Sequence, residues 1–401
     1  MTELSTRVRG ADGLRAIACL LVIWHHITQR LNPESLPAWL KTVHFFGMRG
    51  EVGVSLFFVL SGCLLSLPFW TSHLNGTTMP RLRNYAVHRA ARIVPAYWLN
   101  LILCTFLALW LFNLHINWAR LLSGLFFINS YHYSTFFPAE LNGPLWSIGL
   151  EVSCYVLLPF VLFSIIKTSK TFSAAALTLF AWIATLQLIN PWIIRTFMTS
   201  NDLKGWQYGL TGGAKQWLPY WNIDTFFTQF LLGTFAALFI AWFRSRGLRT
   251  SLIYDLVSVA AIALAILVVS RRLDPGNPDS FTHQPYVAPF YAFFMALALA
   301  AASSSRILWI ALDNRLFRWI AKISFGIYLW HMVVISYIER KIANDYVFYG
   351  ITSISRWLEY SAIVVIVAVC IAAFSWKFLE SPVLKFSRQW INIKTNETAQ
   401  F

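Results

Sequence analysis

Apolar stretches of about twenty residues recur along this chain from Ala11 to Phe378, with no long polar insert between them. Twenty residues of helix cover roughly 30 Å, the thickness of a bilayer's hydrocarbon core. Inside lipid, every backbone polar group must be satisfied within the segment or a closed barrel. Runs of this length therefore predict an all-α, polytopic membrane helix bundle. Composition agrees: 57% of the 401 residues are hydrophobic and 12% are charged, against about 25% charged in soluble domains. Length alone allows two or three domains, but the unbroken recurrence predicts one membrane domain over residues 1–380 and a cytoplasmic C-terminal tail over 381–401.

About ten spans are expected, at 11–31, 50–70, 93–113, 144–166, 171–191, 223–243, 251–270, 286–303, 320–339 and 357–379. The apolar piece from Arg120 to Asn129 is too short to cross comfortably and reads as re-entrant or interfacial, or as an eleventh span. Basic residues favour N-in, C-in: Arg81, Arg83, Arg89 and Arg92, then Arg244, Arg246 and Arg249, then Arg306, Arg315 and Arg318 fall in connections on one side. That placement explains the net charge of +15 as membrane orientation, and nucleic acid is not an expected partner. The five cysteines lie in apolar runs without a CxxC pair, which argues against a disulfide framework or metal site. The first run lacks a small-residue cleavage pattern and should remain as a helix. The longest outer loop, Trp192 to Asn222, carries Trp206, Tyr208, Trp217, Tyr220 and Trp221. Its aromatic rings suit the headgroup zone and equally suit stacking on sugars.

Ionisable residues at membrane depth are costly and mark candidate sites. Arg15 and His26 lie in the first run. Eleven steps of ~100° end about 20° past three turns, so both share a helix face, roughly 16 Å apart along the axis. Each could instead snorkel to its nearer surface. His25 is rotated ~100° away and is the weaker candidate. Glu151 is expected at the depth of His26, where a carboxylate could fix the imidazole's tautomer, or could be a structural group. Arg89 and Arg92 share a face at three-residue spacing. They could grip phosphates or serve as positive-inside anchors. Tyr328 and His331 also share a face near mid-membrane, and Ser61-Gly62 would permit close helix packing. No P-loop, dinucleotide fingerprint, HExxH or GxSxG is present.

In order, these pieces resemble the acyltransferase 3 family of integral membrane O-acyltransferases, which modify bacterial surface polysaccharides, lipopolysaccharide, nodulation factors and some macrolides. The chain carries the family's basic-residue-to-histidine spacing as Arg15 to His26, and FFVLSG at Phe57 to Gly62, followed by Cys63 where Phe is usual. RxxRIxPxY stands at Arg89, Arg92, Ile93, Pro95 and Tyr97. W-S-x-x-x-E stands at Trp146, Ser147 and Glu151, one residue off the commoner spacing. S-x-G-I-Y-L-W-H runs from Ser324 to His331, and E-x-P is Glu380 and Pro382. The resemblance implies an acyl-CoA co-substrate, acetyl-CoA foremost, on the cytoplasmic side of a bacterial inner membrane, and a glycan or lipid-linked saccharide acceptor. It implies Arg89, Arg92 and Tyr97 as the acyl-CoA site, with Arg15 available to the phosphates. His26 would be general base or acyl carrier, and Glu151 its orienter. Tyr328, His331 or Arg15 would serve the oxyanion, with Ser61 and Trp146 as further polar groups. No permanently bound cofactor or metal is expected.

Two other classes fit an intramembrane Arg, His and Glu. A secondary transporter or flippase would use His26 and Glu151 as a proton relay, although the chain shows no paired repeats or matching broken helices. A non-catalytic scaffold would not need so many intramembrane polar groups.

Overall fold

The computed structural model describes residues 7–197, 221–271 and 287–397. Within them every expected span coincides with a helix. In chain order these are α1 (Ala11–Thr28), α2 (Ala38–Met48), α3 (Gly53–Asn75), α4 (Leu82–Phe106), α5 (Trp118–Leu125), α6 (Trp146–Thr168), α7 (Phe172–Phe197), α8 (Ile223–Ser245), α9 (Leu252–Ser270), α10 (Phe290–Ser304), α11 (Leu308–Leu312), α12 (Arg315–Lys341), α13 (Ile354–Ser375) and α14 (Ser381–Glu397). Among the described residues, eight helical segments are long and apolar enough to cross a membrane. The two further expected spans are α10, an apolar helix of 15 residues, and α1, whose 18 residues include Asp12, Arg15, His25 and His26. The protein is an all-α, multi-pass membrane bundle.

Burial separates the centre from the rim. The most apolar window of α8 is 83% buried, and that of α7 only 17%. An apolar helix with an exposed face needs lipid against it. So α3 and α8 form the centre, while α7, α9 and α13 present apolar faces outward. α3 and α8 touch along their backbones: a Cβ on Gly62 would collide with the Phe230 carbonyl, and one on Gly233 with the Val59 carbonyl. Small residues at a helix crossing permit this approach, as expected for Ser61-Gly62. α1 packs into the same centre against α3 and α12.

The Arg120 segment is not a span. α5 has eight residues, about 12 Å of helix. It folds back on α4, where Trp98 Nε1 donates to the Leu125 carbonyl at 3.0 Å. Arg120 is satisfied there by Glu140, at 2.8 Å, and by the Phe137 carbonyl, at 2.7 Å. The 380/381 boundary falls inside a continuous helical run. A π-helical turn, Trp376–Glu380, joins α13 to α14, and α14 packs on α4 with Arg83 over the Trp390 ring at 4.3 Å. Most of the 192–222 loop, including Trp206, Tyr208, Trp217 and Tyr220, lies outside the described residues.

Candidate active site

α1, α3, α4, α6 and α12 enclose a cavity of about 280 Å³. Its lining joins four motifs that are far apart in sequence: Arg15, Ser61, Arg89 with Arg92, and Ser147 with Glu151, completed by Ser324 and Tyr328. Three guanidiniums face one carboxylate there, a positive balance in a membrane-embedded space.

The three arginines differ. Arg92 Nη1 is paired with Glu380 Oε2 at 3.1 Å, and the Glu380 side chain is 1% exposed. Ser375 Oγ donates to the other carboxylate oxygen at 3.4 Å. The Arg92 guanidinium also lies 5.2 Å from the Trp376 ring centre and 5.6 Å from that of Phe325. The π-helical turn swings Glu380 inward, and Gly326 leaves room for it, since a Cβ there would sit 3.3 Å from Glu380 Oε1. Arg15 and Arg89, by contrast, make no hydrogen bond or ion pair with any described residue. Arg15 still lies within electrostatic reach of Asp12, Arg89, Tyr155 and Glu151. Unpaired guanidiniums lining a cavity are the chemistry of an anion site.

Glu151 is not where its depth alone placed it. Its Oε1 accepts from Ser61 Oγ at 3.0 Å and from the Tyr155 hydroxyl at 2.5 Å. No hydrogen bond joins it to His26. Depth along a helix says nothing of azimuth, and α6 turns Glu151 toward α3. Tyr155, missed in the sequence, was legible as the residue one turn beyond Glu151 on the same face.

The partner of His26 is His331. Their facing nitrogens, His26 Nδ1 and His331 Nε2, are 3.3 Å apart. His26 Nδ1 also lies 2.9 Å from the Val22 carbonyl, and His331 Nδ1 lies 3.1 Å from that of Ile327. A carbonyl only accepts, so each Nδ1 carries a proton. With both rings neutral, His331 Nε2 is then an acceptor for His26, and His26 Nε2 keeps its lone pair. Among the described residues that Nε2 has no hydrogen-bond partner, and it is not a buried atom. Both His331 nitrogens are thereby engaged, by Ile327 and His26. His25 is spent structurally: Nδ1 donates to Met48 O at 2.8 Å, and Nε2 meets Gln29 Nε2 at 3.0 Å.

Arg15 and His26 do not line one cavity, because His26 is absent from the lining. Tyr328 links the two regions. Its ring lines the cavity and sits 5.9 Å from the His331 ring centre to centre. Its hydroxyl donates to the Pro144 carbonyl at 2.8 Å and meets Ser147 Oγ at 2.6 Å. Two other expected site residues stand apart from the cavity. Tyr97 is fully buried, stacks on Phe127 at 4.9 Å and donates to the Gly124 carbonyl at 3.2 Å. Trp146 packs among Phe136, Trp221 and Phe226, while its neighbour Ser147 faces the cavity. Neither aromatic side chain lines the cavity.

Comparison with known proteins agrees with the motif order. The acyltransferase 3 family model, described as "Acyltransferase domain", matches residues 8–376. A Staphylococcus aureus (strain MRSA252) protein named "Putative O-acetyltransferase SAR0937" is 23% identical over 98% of this chain and 60% of its own length. The Bacillus subtilis (strain 168) protein named "Putative peptidoglycan O-acetyltransferase YrhL" is 26% identical over 95% and 56%. Staphylococcus aureus (strain NCTC 8325 / PS 47) "O-acetyltransferase OatA" is 24% identical over 94% and 57%. The chain thus spans less than two thirds of the length of these relatives. No solved structure matches it. With the family model covering nearly all of a helical bundle that gathers its motifs around one cavity, the chain belongs to the acyltransferase 3 family.

Proposed function

We propose that this protein is a membrane O-acyltransferase that moves an acyl group, acetyl in the first instance, from acyl-CoA to a hydroxyl of an exported glycan. The relatives' names support an O-acetyltransferase, and one of them points to peptidoglycan. The observation that carries the reading is the cavity itself, with unpaired Arg15 and Arg89 on its wall and Tyr328 backing onto the His331–His26 pair. Arg15 and Arg89 hold the CoA phosphates, with Arg92 as a fixed third cation, at what N-in topology makes the cytoplasmic mouth of a bacterial inner membrane. The thioester reaches the Tyr328 end.

His26 is the general base in this scheme. Its Nε2 lone pair takes the acceptor hydroxyl's proton as that oxygen bonds to the thioester carbon. The tetrahedral oxyanion then collapses, the C–S bond breaks, and the proton passes from His26 to the leaving CoA sulfur. His331 keeps His26 in the tautomer this needs. Tyr328 is the donor nearest the oxyanion, by exchanging its bond to Pro144. The glycan acceptor, free or lipid-linked, approaches the open face of His26.

The test is transfer of label. Membranes containing the protein, given acetyl-CoA labelled in the acetyl group and peptidoglycan fragments or another surface glycan, should yield base-labile, O-linked label on the glycan. Proton-driven glycan uptake without label transfer would instead identify a transporter.

A further inference from the structure

Glu151 is the one carboxylate on a cavity wall that also carries Arg15, Arg89 and Arg92. Its two oxygens are unlike. Oε1 takes both protein donors, Ser61 and Tyr155. Oε2 has no hydrogen-bond partner among the described residues, and it is not a buried atom. No arginine nitrogen pairs with it, although Arg15 lies within electrostatic reach. Two donors on one oxygen fix the plane of the carboxylate and leave the other presented, as an acceptor only, to whatever fills the cavity.

A carboxylate here would repel phosphates, so it is not part of the anion site. It suits an uncharged stretch of ligand that carries N–H donors. The arm joining the CoA phosphates to the thioester is such a stretch, with two secondary amide N–H groups and one hydroxyl. We propose that Glu151 Oε2 is a donor-binding group that accepts a hydrogen bond from a pantetheine amide of acyl-CoA. It would thereby set how far the thioester advances toward Tyr328. This assignment rests on the acyl-CoA reading above, and it gives Glu151 a contact with the donor rather than with His26.

The test pairs a protein change with a ligand change. Transfer kinetics and equilibrium binding are measured for the full chain in membranes, wild type and Glu151→Gln. The ligands are acetyl-CoA and two analogues, each with one pantetheine N–H replaced by an ester oxygen. A hydrogen bond to a charged acceptor sets the scale at about 10- to 100-fold. In wild type, one analogue should show a KM raised by that factor. In Glu151→Gln, acetyl-CoA should lose about the same, and the penalty for that analogue should shrink to a few-fold. Ser61→Ala with Tyr155→Phe, which frees the carboxylate to turn, should blur the preference between the two analogues. The proposal is overturned if Glu151→Gln discriminates between amide and ester as wild type does, whatever its turnover. Failure of wild-type protein to bind acetyl-CoA at all would overturn the donor reading itself, an outcome distinct from bound donor with unchanged discrimination.

Discussion

Near one end of α1, Arg15 offers a cavity a guanidinium that no described residue pairs. Three turns on, His26 sits in a chain of hydrogen bonds that ends in a single free lone pair. Both are polar groups on one helix face at membrane depth, where polarity is expensive. A cation left unpaired beside a cavity is held ready for an opposite charge from outside the chain. An imidazole with one nitrogen pinned and the other unpartnered is placed to take a proton. The proposed function would separate binding and chemistry along this one helix, with Tyr328 between them.

The comparison can be broken most decisively at His26. His26→Ala should lower label transfer by about 10²- to 10⁴-fold, the usual range for a general base, with the protein still inserted and still binding acyl-CoA. Persistent transfer in that variant, measured against immunoblotted protein, would remove the chemistry from this end. The next largest effect distinguishes Arg92 from its neighbours. Arg92→Ala strands Glu380, at 1% exposure, as a buried charge, which costs about 3–5 kcal/mol. Thermal melting in detergent should therefore fall markedly, and Glu380→Gln in the same chain should restore part of it. Arg15→Ala and Arg89→Ala strand nothing. Each should leave melting within about 0.5 kcal/mol of wild type, as for changes away from buried networks, and raise the KM for acyl-CoA about tenfold or more. Equal melting losses for Arg89→Ala and Arg92→Ala would erase the distinction drawn between them.

Much of this was legible beforehand, for definite reasons. Spans are written in hydropathy because lipid permits few alternatives, and each expected run became a helix. Motif order singled out Arg15, Ser61, Arg89, Arg92, Ser147, Glu151 and Tyr328, and the structure places all seven on one cavity wall. Azimuth was not legible. Helix period fixes which residues share a face of one helix, but not which neighbour that face meets. Hence Glu151 turned to Ser61 and Tyr155 rather than to His26, and His331 took the place assigned to it. The ion pair of Arg92 with Glu380 joins residues 288 positions apart through a π-helical turn, which no local pattern announced. The span count of about ten exceeded the eight segments long and apolar enough to cross because α1 carries Asp12, Arg15, His25 and His26, and α10 has only 15 residues.

The smallest predicted effect tests where the donor site ends. Tyr97 follows Arg92 in the same motif, and the family resemblance grouped it with the acyl-CoA ligands. The structure commits its hydroxyl to the Gly124 carbonyl at 3.2 Å and its ring to Phe127. That contact ties α4 to α5, outside the cavity lining. Tyr97→Phe keeps the stacking and removes one neutral hydrogen bond, a loss of about 1 kcal/mol in stability. It should shift melting slightly and leave the KM for acyl-CoA within twofold of wild type. A tenfold rise in KM without a melting shift would extend the donor site along α4 past Arg92, and the boundary between packing and binding on that helix would have to move outward by at least a turn.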